Sequence, residues 1–289
     1  AELRTLISAM TDVIFVSDSE GRYLKIIETD SSLLYKPSKD LLGKTLHEIF
    51  PKDQADFFLS HLREALSTQK SVNFEYSLSI GDKKMWFYAT ATPISDDQNL
   101  MVARDITPRK QAEEALQERE YHSQSLLRLS KRLEQAQTYT EVLNAAHDEV
   151  RSVIGYQNLW VYLLTEDKKY AHALIAGGKI SDTVMSEEGA ATLAIQGDRM
   201  LEEIAEAEDI VVVEDARTDE RTNKEIVAQM GNRTIVNVPI SLLEKHLGTV
   251  GMGTFGDEGV RVPSESEREY LKAMASHMAV SLDRVHLLT

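Results

Sequence analysis

Every second residue from Val72 to Ile80 is apolar (Val72, Phe74, Tyr76, Leu78, Ile80), with Asn73, Glu75, Ser77 and Ser79 between them. A period of two puts one set on each face of a strand, so the segment predicts a half-buried strand. Gly81-Asp82-Lys83-Lys84 supplies a turn, and residues 85–92 return with aromatic and β-branched side chains, predicting an antiparallel hairpin. A third strand is expected over residues 100–106. Nearer the start, residues 13–16 and 23–27 flank Asp18-Ser19-Glu20-Gly21 as another hairpin. Between the hairpins, Ser38 and Asp53 are candidate helix caps. Phe58, Leu62, Ala65 and Leu66 then recur at helical spacing, so a helix should cross a five-stranded sheet.

The pattern changes at Asp105-Ile106-Thr107-Pro108. The strand ends there and a polar helix is expected over residues 109–137, with the Thr107 hydroxyl as cap and Pro108 at the first helical position, where an amide hydrogen lacks a partner anyway. Leu126, Leu129, Leu133, Ala136 and Leu143 alternate at spacings of three and four, an apolar seam of coiled-coil type. Extending it back to Ala115 and Ala112 means accepting Arg119 and His122. Such a seam fits a switchable parallel dimer or, equally, a solvated spacer, since Glu113, Glu114, Arg119 and Glu120 are surface residues.

Beyond it, Thr138-Tyr139-Thr140-Glu141 has capping-box spacing, followed by helical periodicity up to Gly155. Residues 159–164 and 170–176 bracket Glu166-Asp167-Lys168-Lys169 as a hairpin, and a long, mainly helical or irregular segment runs to Glu208. Residues 210–213, 234–240 and 247–255 predict further strands. Pro263-Ser264-Glu265-Ser266-Glu267 opens a last helix carrying Leu271, Met274, Met278, Leu282 and Val285 on one stripe.

The order of elements over residues 3–108, with Asp105, Ile106 and Thr107 at its end, Trp86-Phe87 in the long hairpin and Gly43-Lys44 after the short helices, resembles a PAS domain. The resemblance implies a pocket between sheet and helices, or an empty core serving dimerisation and relay. Phe15, Ile27, Leu34, Phe58, His61, Leu62, Phe74 and Phe87 are the candidate lining residues, each also suited to plain core. Haem-binding PAS domains use a histidine on the long helix, and His61 sits there, but a lone histidine is weak evidence and no haem is expected.

Residues 138–289 resemble a GAF domain through three segments: Val211-Val212-Val213-Glu214-Asp215-Ala216-Arg217-Thr218-Asp219, then Arg233-Thr234-Ile235-Val236-Asn237-Val238-Pro239-Ile240, then Gly248-Thr249-Val250-Gly251. The resemblance implies a six-stranded antiparallel sheet with a ligand-sized cavity on one face and dimerising helices on the other. Asp215, Arg217, Asn223 and Asn237 are the candidate polar pocket groups, with loop capping as their structural alternative. The cyclic-nucleotide-binding pattern of the family is not matched, because Asn223-Lys224 and Asp257-Glu258 stand in the wrong places.

Composition narrows the chemistry. The chain has 289 residues, enough for two domains at ~150 residues each, and no cysteine. Disulfides, thiolate metal sites, a cysteine-linked bilin and a flavin adduct are thereby excluded. The net charge of −15 disfavours a nucleic-acid partner. No apolar run approaches the ~18 residues of a membrane span, and no leader is seen, so a cytoplasmic segment is expected. The lack of a starting methionine and the helical patterning at the end suggest a fragment. Gly251-Met252-Gly253-Thr254-Phe255-Gly256 matches a dinucleotide fingerprint in letters, but Asp257-Glu258 follows where a helix should receive phosphate. Glycines within a strand explain it better. No nucleophile elbow, phosphate loop, kinase signature or zinc-type histidine pair occurs.

The expectation is an α+β protein with a PAS sensor domain (residues 1–108), a helical linker (109–137) and a GAF sensor domain (138–289). It would be the input part of a sensor histidine kinase, a parallel homodimer with a small-molecule ligand and no catalytic site of its own. The rival is a ligand-free scaffold module of a cyclic-dinucleotide enzyme or transcriptional regulator.

Overall fold

In the computed structural model, which describes residues 12–27, 31–176, 191–243 and 245–288, the early alternating segments form β1 (Val13–Asp18), β2 (Tyr23–Ile27), β3 (Val72–Ile80), β4 (Lys83–Pro93) and β5 (Gln98–Asp105). They pair antiparallel in the order β2-β1-β5-β4-β3. The short helices α1 (Ser38–Leu41) and α2 (Leu46–Ile49) and the longer α3 (Lys52–Thr68) lie between the hairpins. Helix α3 buries Ala55, Phe58, Leu59, Leu62 and Ala65 in one cluster with Phe74, Tyr76, Phe87, Ala89 and Met101 of the sheet. Pro37 and Pro51 occupy the cap positions of α1 and α3, so Ser38 and Asp53 fall inside the first turn instead of capping it.

The chain divides into two compact units between Leu116 and Gln117. The division falls within one helix, α4 (Thr107–Gln135), whose two ends belong to different units. Its start is fixed to β4. The Ile106 amide donates to the Trp86 carbonyl at 2.8 Å, and the Trp86 amide donates to the Thr107 hydroxyl at 2.8 Å. The expected hydroxyl cap is therefore replaced. Ile106 extends the strand ladder by one step, the Thr107 hydroxyl accepts the next amide in place of a backbone carbonyl, and the Asp105 carboxylate accepts the Thr107 amide at 2.8 Å. Glu75 on β3 binds Arg109 and Lys110 at 2.5 and 2.7 Å.

The second unit has α5 (Tyr139–Val153), β6 (Asn158–Leu164), β7 (Tyr170–Ala176), β8 (Ala191–Ala194), α6 (Arg199–Glu206), β9 (Val211–Val213), α7 (Lys224–Met230), β10 (Asn232–Leu242), β11 (Lys245–Phe255) and α8 (Glu265–Leu288). Its sheet is antiparallel in the order β8-β7-β6-β11-β10-β9. Strand alternation gives the faces different tasks. Leu159, Val161, Val236, Val238, Val250 and Met252 join a large core with α4, α5 and α8, whereas Trp160, Ile235 and Phe255 belong to a separate cluster on the other face.

The apolar seam of α4 lies in that large core. Leu129, Leu133 and Ala136, with Leu143 of α5, are buried there and Leu126 packs against it. Helix α8 runs alongside α4 in the same direction, since its successive partners advance together. His122 and Ser125 meet Ser266 and Tyr270, and Leu133 meets Ser281. At the end of α4, the Arg284 guanidinium donates to the Leu133, Glu134 and Ala136 carbonyls at 2.5, 2.9 and 2.8 Å. The last carbonyls of a helix lack amide partners one turn on, although that of Leu133 also accepts the Ala136 amide at 3.3 Å and the Ser281 hydroxyl at 3.4 Å, and a cation at a helix C-terminus also opposes the dipole. Midway, Ser125 donates to buried Glu149 of α5 at 2.5 Å and lies 2.8 Å from the Tyr270 hydroxyl. Because unmatched polar groups in a core are costly, this cluster fixes the register of the three helices.

Among the described residues, no helix is long and apolar enough to cross a membrane. Arg284→Met should destabilise the second unit by about 1–3 kcal/mol in urea unfolding, the scale of losing hydrogen bonds from a charged donor. An unchanged midpoint would mean that the α4 terminus is satisfied without it.

Candidate functional site

On the face of the second sheet away from α4 and α8, one row of paired residues runs Asn237 (β10), Gly251 (β11), Trp160 (β6). The central position has no side chain. A Cβ on Gly251 would lie 2.1 Å from Trp160 Nε1, so the indole edge occupies the space over the middle strand. Gly253, two residues on, leaves the same face bare again. Tyr162 and Ile235 continue the row's neighbours, and α6 and α7 cover them at a distance, leaving a cavity of about 270 Å³. Its lining also includes Ala173, Leu193, Asp198, Met200, Thr222, Asn223 and Met230.

Each covering helix has its own cap. Asp198 accepts the Met200 and Leu201 amides at 3.0 Å, and Asn223 accepts the Glu225 and Ile226 amides at 3.0 and 3.3 Å. Arg221 binds the connecting segment to its surroundings through Glu203 of α6 at 2.9 Å, the Val212 carbonyl at 3.1 Å and Asp219 at 2.6 Å. Its guanidinium holds the Asp219 carboxyl down at about 2. Burial, with a smaller contribution from Asp198, pushes the Tyr162 phenol up to about 12, so the cavity wall carries it neutral.

Two polar atoms in the wall lack partners: Trp160 Nε1 and Asn237 Oδ1. Trp160 is 7% exposed and Asn237 1%. The amide nitrogen of Asn237 reaches only Met200 Sδ, at 3.8 Å. Such atoms are rare in folded proteins because desolvation is not repaid.

Of the four polar residues the sequence singled out here, Asn223 and Asn237 line the cavity. Asp215 and Arg217 pair with each other at 2.8 Å outside that lining, with Arg233 at 3.5 Å from the same carboxylate. The hydrogen bonds from Arg217 hold the Asp215 carboxyl well below the usual range. Trp160, Tyr162, Asp198 and Met200 were not foreseen. The available signal was the Gly251, Gly253 pair, whose spacing of two strips one strand face of side chains.

The first unit differs. Its interior void measures about 30 Å³, lined by Phe15, Phe58 and Phe87 among others, room for one or two waters. Leu34, Leu62 and Phe74 are buried core, and Ile27 is half-buried at the sheet edge. His61 is not in the void lining. Its Nδ1 donates to the Phe57 carbonyl at 2.8 Å, and its ring stacks on Phe74 at 4.2 Å. Asp105, Ile106 and Thr107 form the β5-to-α4 junction already described.

Residues 7–111 match the family model for the PAS fold, and residues 136–283 match that for the GAF domain. Among solved structures, the chromophore-binding domain of an unusual bacteriophytochrome from R. palustris is 14% identical at a TM-score of 0.47, covering 96% of this chain and 94% of that one. The GAF domain of an Acinetobacter phosphoenolpyruvate-protein phosphotransferase is 16% identical at 0.46, covering 58% of this chain and 96% of that one. The free methionine-R-sulfoxide reductase of Neisseria meningitidis, in complex with its substrate, is 12% identical at 0.45, covering 58% and 92%. No match was found among curated proteins.

Gly251→Ala should force the buried indole aside, costing about 1–3 kcal/mol as overpacked cores do; urea unfolding with wild-type stability would show that the ring relaxes freely. Asp219 has a folded-state value below the ~3.9 of an unfolded chain, so its pairing stabilises fully above about pH 4 and less as pH falls through about 2. Arg221→Met should therefore cost less stability at pH 2 than at pH 6. An equal cost at both would contradict the pairing.

Proposed function

The chain belongs to the GAF domain family and carries a PAS fold ahead of that domain, and from this arrangement we propose that it is the sensory input part of a cytoplasmic signal-transduction protein, of the sensor histidine kinase type. The observation that carries the reading is the cavity of about 270 Å³ on one face of a sheet whose other face holds α4 and α8. A small molecule that binds one arrangement of this sheet better than another shifts the population toward it. The shift reaches α4, which enters the unit, and α8, which packs beside it on the same face of the sheet. Both are bound to each other through Arg284. Coupling between cavity and output is then a difference in affinity between two helix arrangements.

The first unit, with room for only one or two waters, acts in this reading as a relay without a ligand of its own. Its junction residues Asp105, Ile106 and Thr107 set where α4 begins. The working assembly is a parallel homodimer, for which exposed Leu127 on α4 and Val280 and Leu287 on α8 supply apolar surface.

Native mass spectrometry of the freshly purified full-length protein should detect a small molecule bound to the second unit, and persistent emptiness beside a tight dimer would favour a scaffold. In the same protein, Asp105→Ala removes the acceptor of the Thr107 amide and should alter signalling output while both units remain folded. Unchanged output would remove the junction from the route.

A further inference from the structure

Building on the reading of this cavity as a ligand site, we propose that its ligand is a small organic cation: an amine on an apolar body of one or two rings, its ammonium group set against Asp198. Among the described residues, Asp198 is the one charged member of the cavity lining, and no lysine, arginine or histidine joins it. Only one oxygen of that carboxylate is engaged. Oδ1 accepts both amides of the α6 cap, whereas Oδ2 makes no hydrogen bond among the described residues. Nor is Oδ2 sealed in the interior as Trp160 Nε1 and Asn237 Oδ1 are. An ionised carboxylate accepts on both oxygens, so Oδ2 remains for a ligand. The Tyr162 hydroxyl is likewise unpartnered among the described residues and is not sealed. Tyr162 shares its face of β6 with Trp160 and lies opposite Ala173 of β7, which lines the cavity too. Burial first, and then the Asp198 charge, push its phenol up to about 12, so the carboxylate acts on this ring and the ring stays neutral.

The sign of the ligand follows from these groups. An ammonium gives up water on entering a cavity and needs an opposite charge in return. Asp198 supplies that charge, and the face of the Tyr162 ring attracts a cation as well. An anion would meet the same carboxylate with no counter-ion beside it. The two cations of the covering segment are engaged elsewhere. Arg221 binds Glu203, Asp219 and the Val212 carbonyl, and Lys224 donates to the Ala216 and Asp219 carbonyls and the Thr222 hydroxyl. Neither lines the cavity. Asn223 Oδ1 caps α7, and the Thr222 hydroxyl donates to the Ala216 and Asp219 carbonyls, so these side chains are committed to the protein's own backbone. Leu193, Ile226, Ile235 and the thioethers of Met200 and Met230 complete a wall suited to an apolar body. A volume of about 270 Å³ lies just below the usual range of ~300–1,000 Å³ for ligand pockets, which limits that body to one or two rings. The net charge of −15 also favours the approach of cations over anions.

Three probes of one shape separate the possibilities by calorimetry on the full chain at neutral pH: 2-naphthylmethylamine, a cation; 2-methylnaphthalene, uncharged; and 2-naphthoate, an anion. The amine should bind about tenfold tighter than either other probe, or more, as expected for a charge pair formed out of water. Asp198→Asn removes the charge and keeps the cap, since asparagine caps helices as well as aspartate does. It should weaken the amine by about tenfold or more and leave 2-methylnaphthalene unchanged, which shows that the cavity still forms. Asp198→Ser, with another capping side chain, should do the same. The ranking of the three probes is read on the unaltered chain and so decides whether or not either variant folds. Binding of 2-methylnaphthalene or 2-naphthoate as tight as that of the amine, or undiminished amine affinity in the variants, overturns the ligand class while leaving a ligand cavity in place. Binding of none of the three overturns the class together with the reading of the cavity as a ligand site.

Discussion

A sheet one layer thick must send alternate side chains to opposite faces, and the second unit depends on that constraint. In β6, Leu159 and Val161 enter the helix-bearing core while Trp160 turns to the cavity. In β10, Val236 and Val238 do the same while Asn237 turns away. The cavity and the helices are thus separated by backbone alone. Close-packed interiors do not absorb displacement gradually, so a shift of the β6 or β11 backbone is felt by α4 and α8.

Helix α4 carries two kinds of bond suited to its two ends. At its start, the Ile106 backbone and the Thr107 hydroxyl both pair with Trp86, so the first helical residue is tied to the end of a strand. Toward its end, Leu129 and Leu133 are removed from water and three terminal carbonyls are taken up by Arg284. Replacing either leucine by alanine would cost about 2–5 kcal/mol, so this half of the helix is part of the second unit's core. The Ser125, Glu149 and Tyr270 cluster adds direction to that burial. Apolar contact tolerates sliding, but a hydroxyl placed between a carboxylate and a phenol does not.

In the first unit β3 was legible because one of its faces is wet and it reads as strict alternation, whereas β1, buried on both faces, was read from the turn that follows it. The second unit was harder for a physical reason. Both faces of β6 are covered, and its sequence is a nearly continuous apolar run in which no residue announces its side. Within β10, a single Asn in such a run was the readable exception, and Asn237 lines the cavity. Strand β8 and helix α7 escaped because they are short: four residues rich in alanine, and seven with Val227 as the buried member. The leucine spacing of α4 was plain in the sequence, but that spacing is the same whether the seam meets a second chain or the chain's own core. Asp215 and Arg217 had the chemistry of a pocket, yet residues two apart in a loop satisfy each other first.

The two units also differ in how tightly their interiors are filled. Aromatic rings fill the first unit's interior, with Phe58 edge-on to Tyr76 at 4.8 Å and Tyr76 stacked on Phe87 at 5.3 Å. The second unit instead leaves a cavity of about 270 Å³ beneath α6 and α7. The coupling of cavity to helices through a single backbone layer is tested most directly by amide hydrogen exchange on the full chain, with and without the small molecule that the second unit is proposed to bind. The account predicts slower exchange in β11 and along α8 as well as in α6 and α7. Slowing confined to α6 and α7, with α8 unchanged, would contradict it.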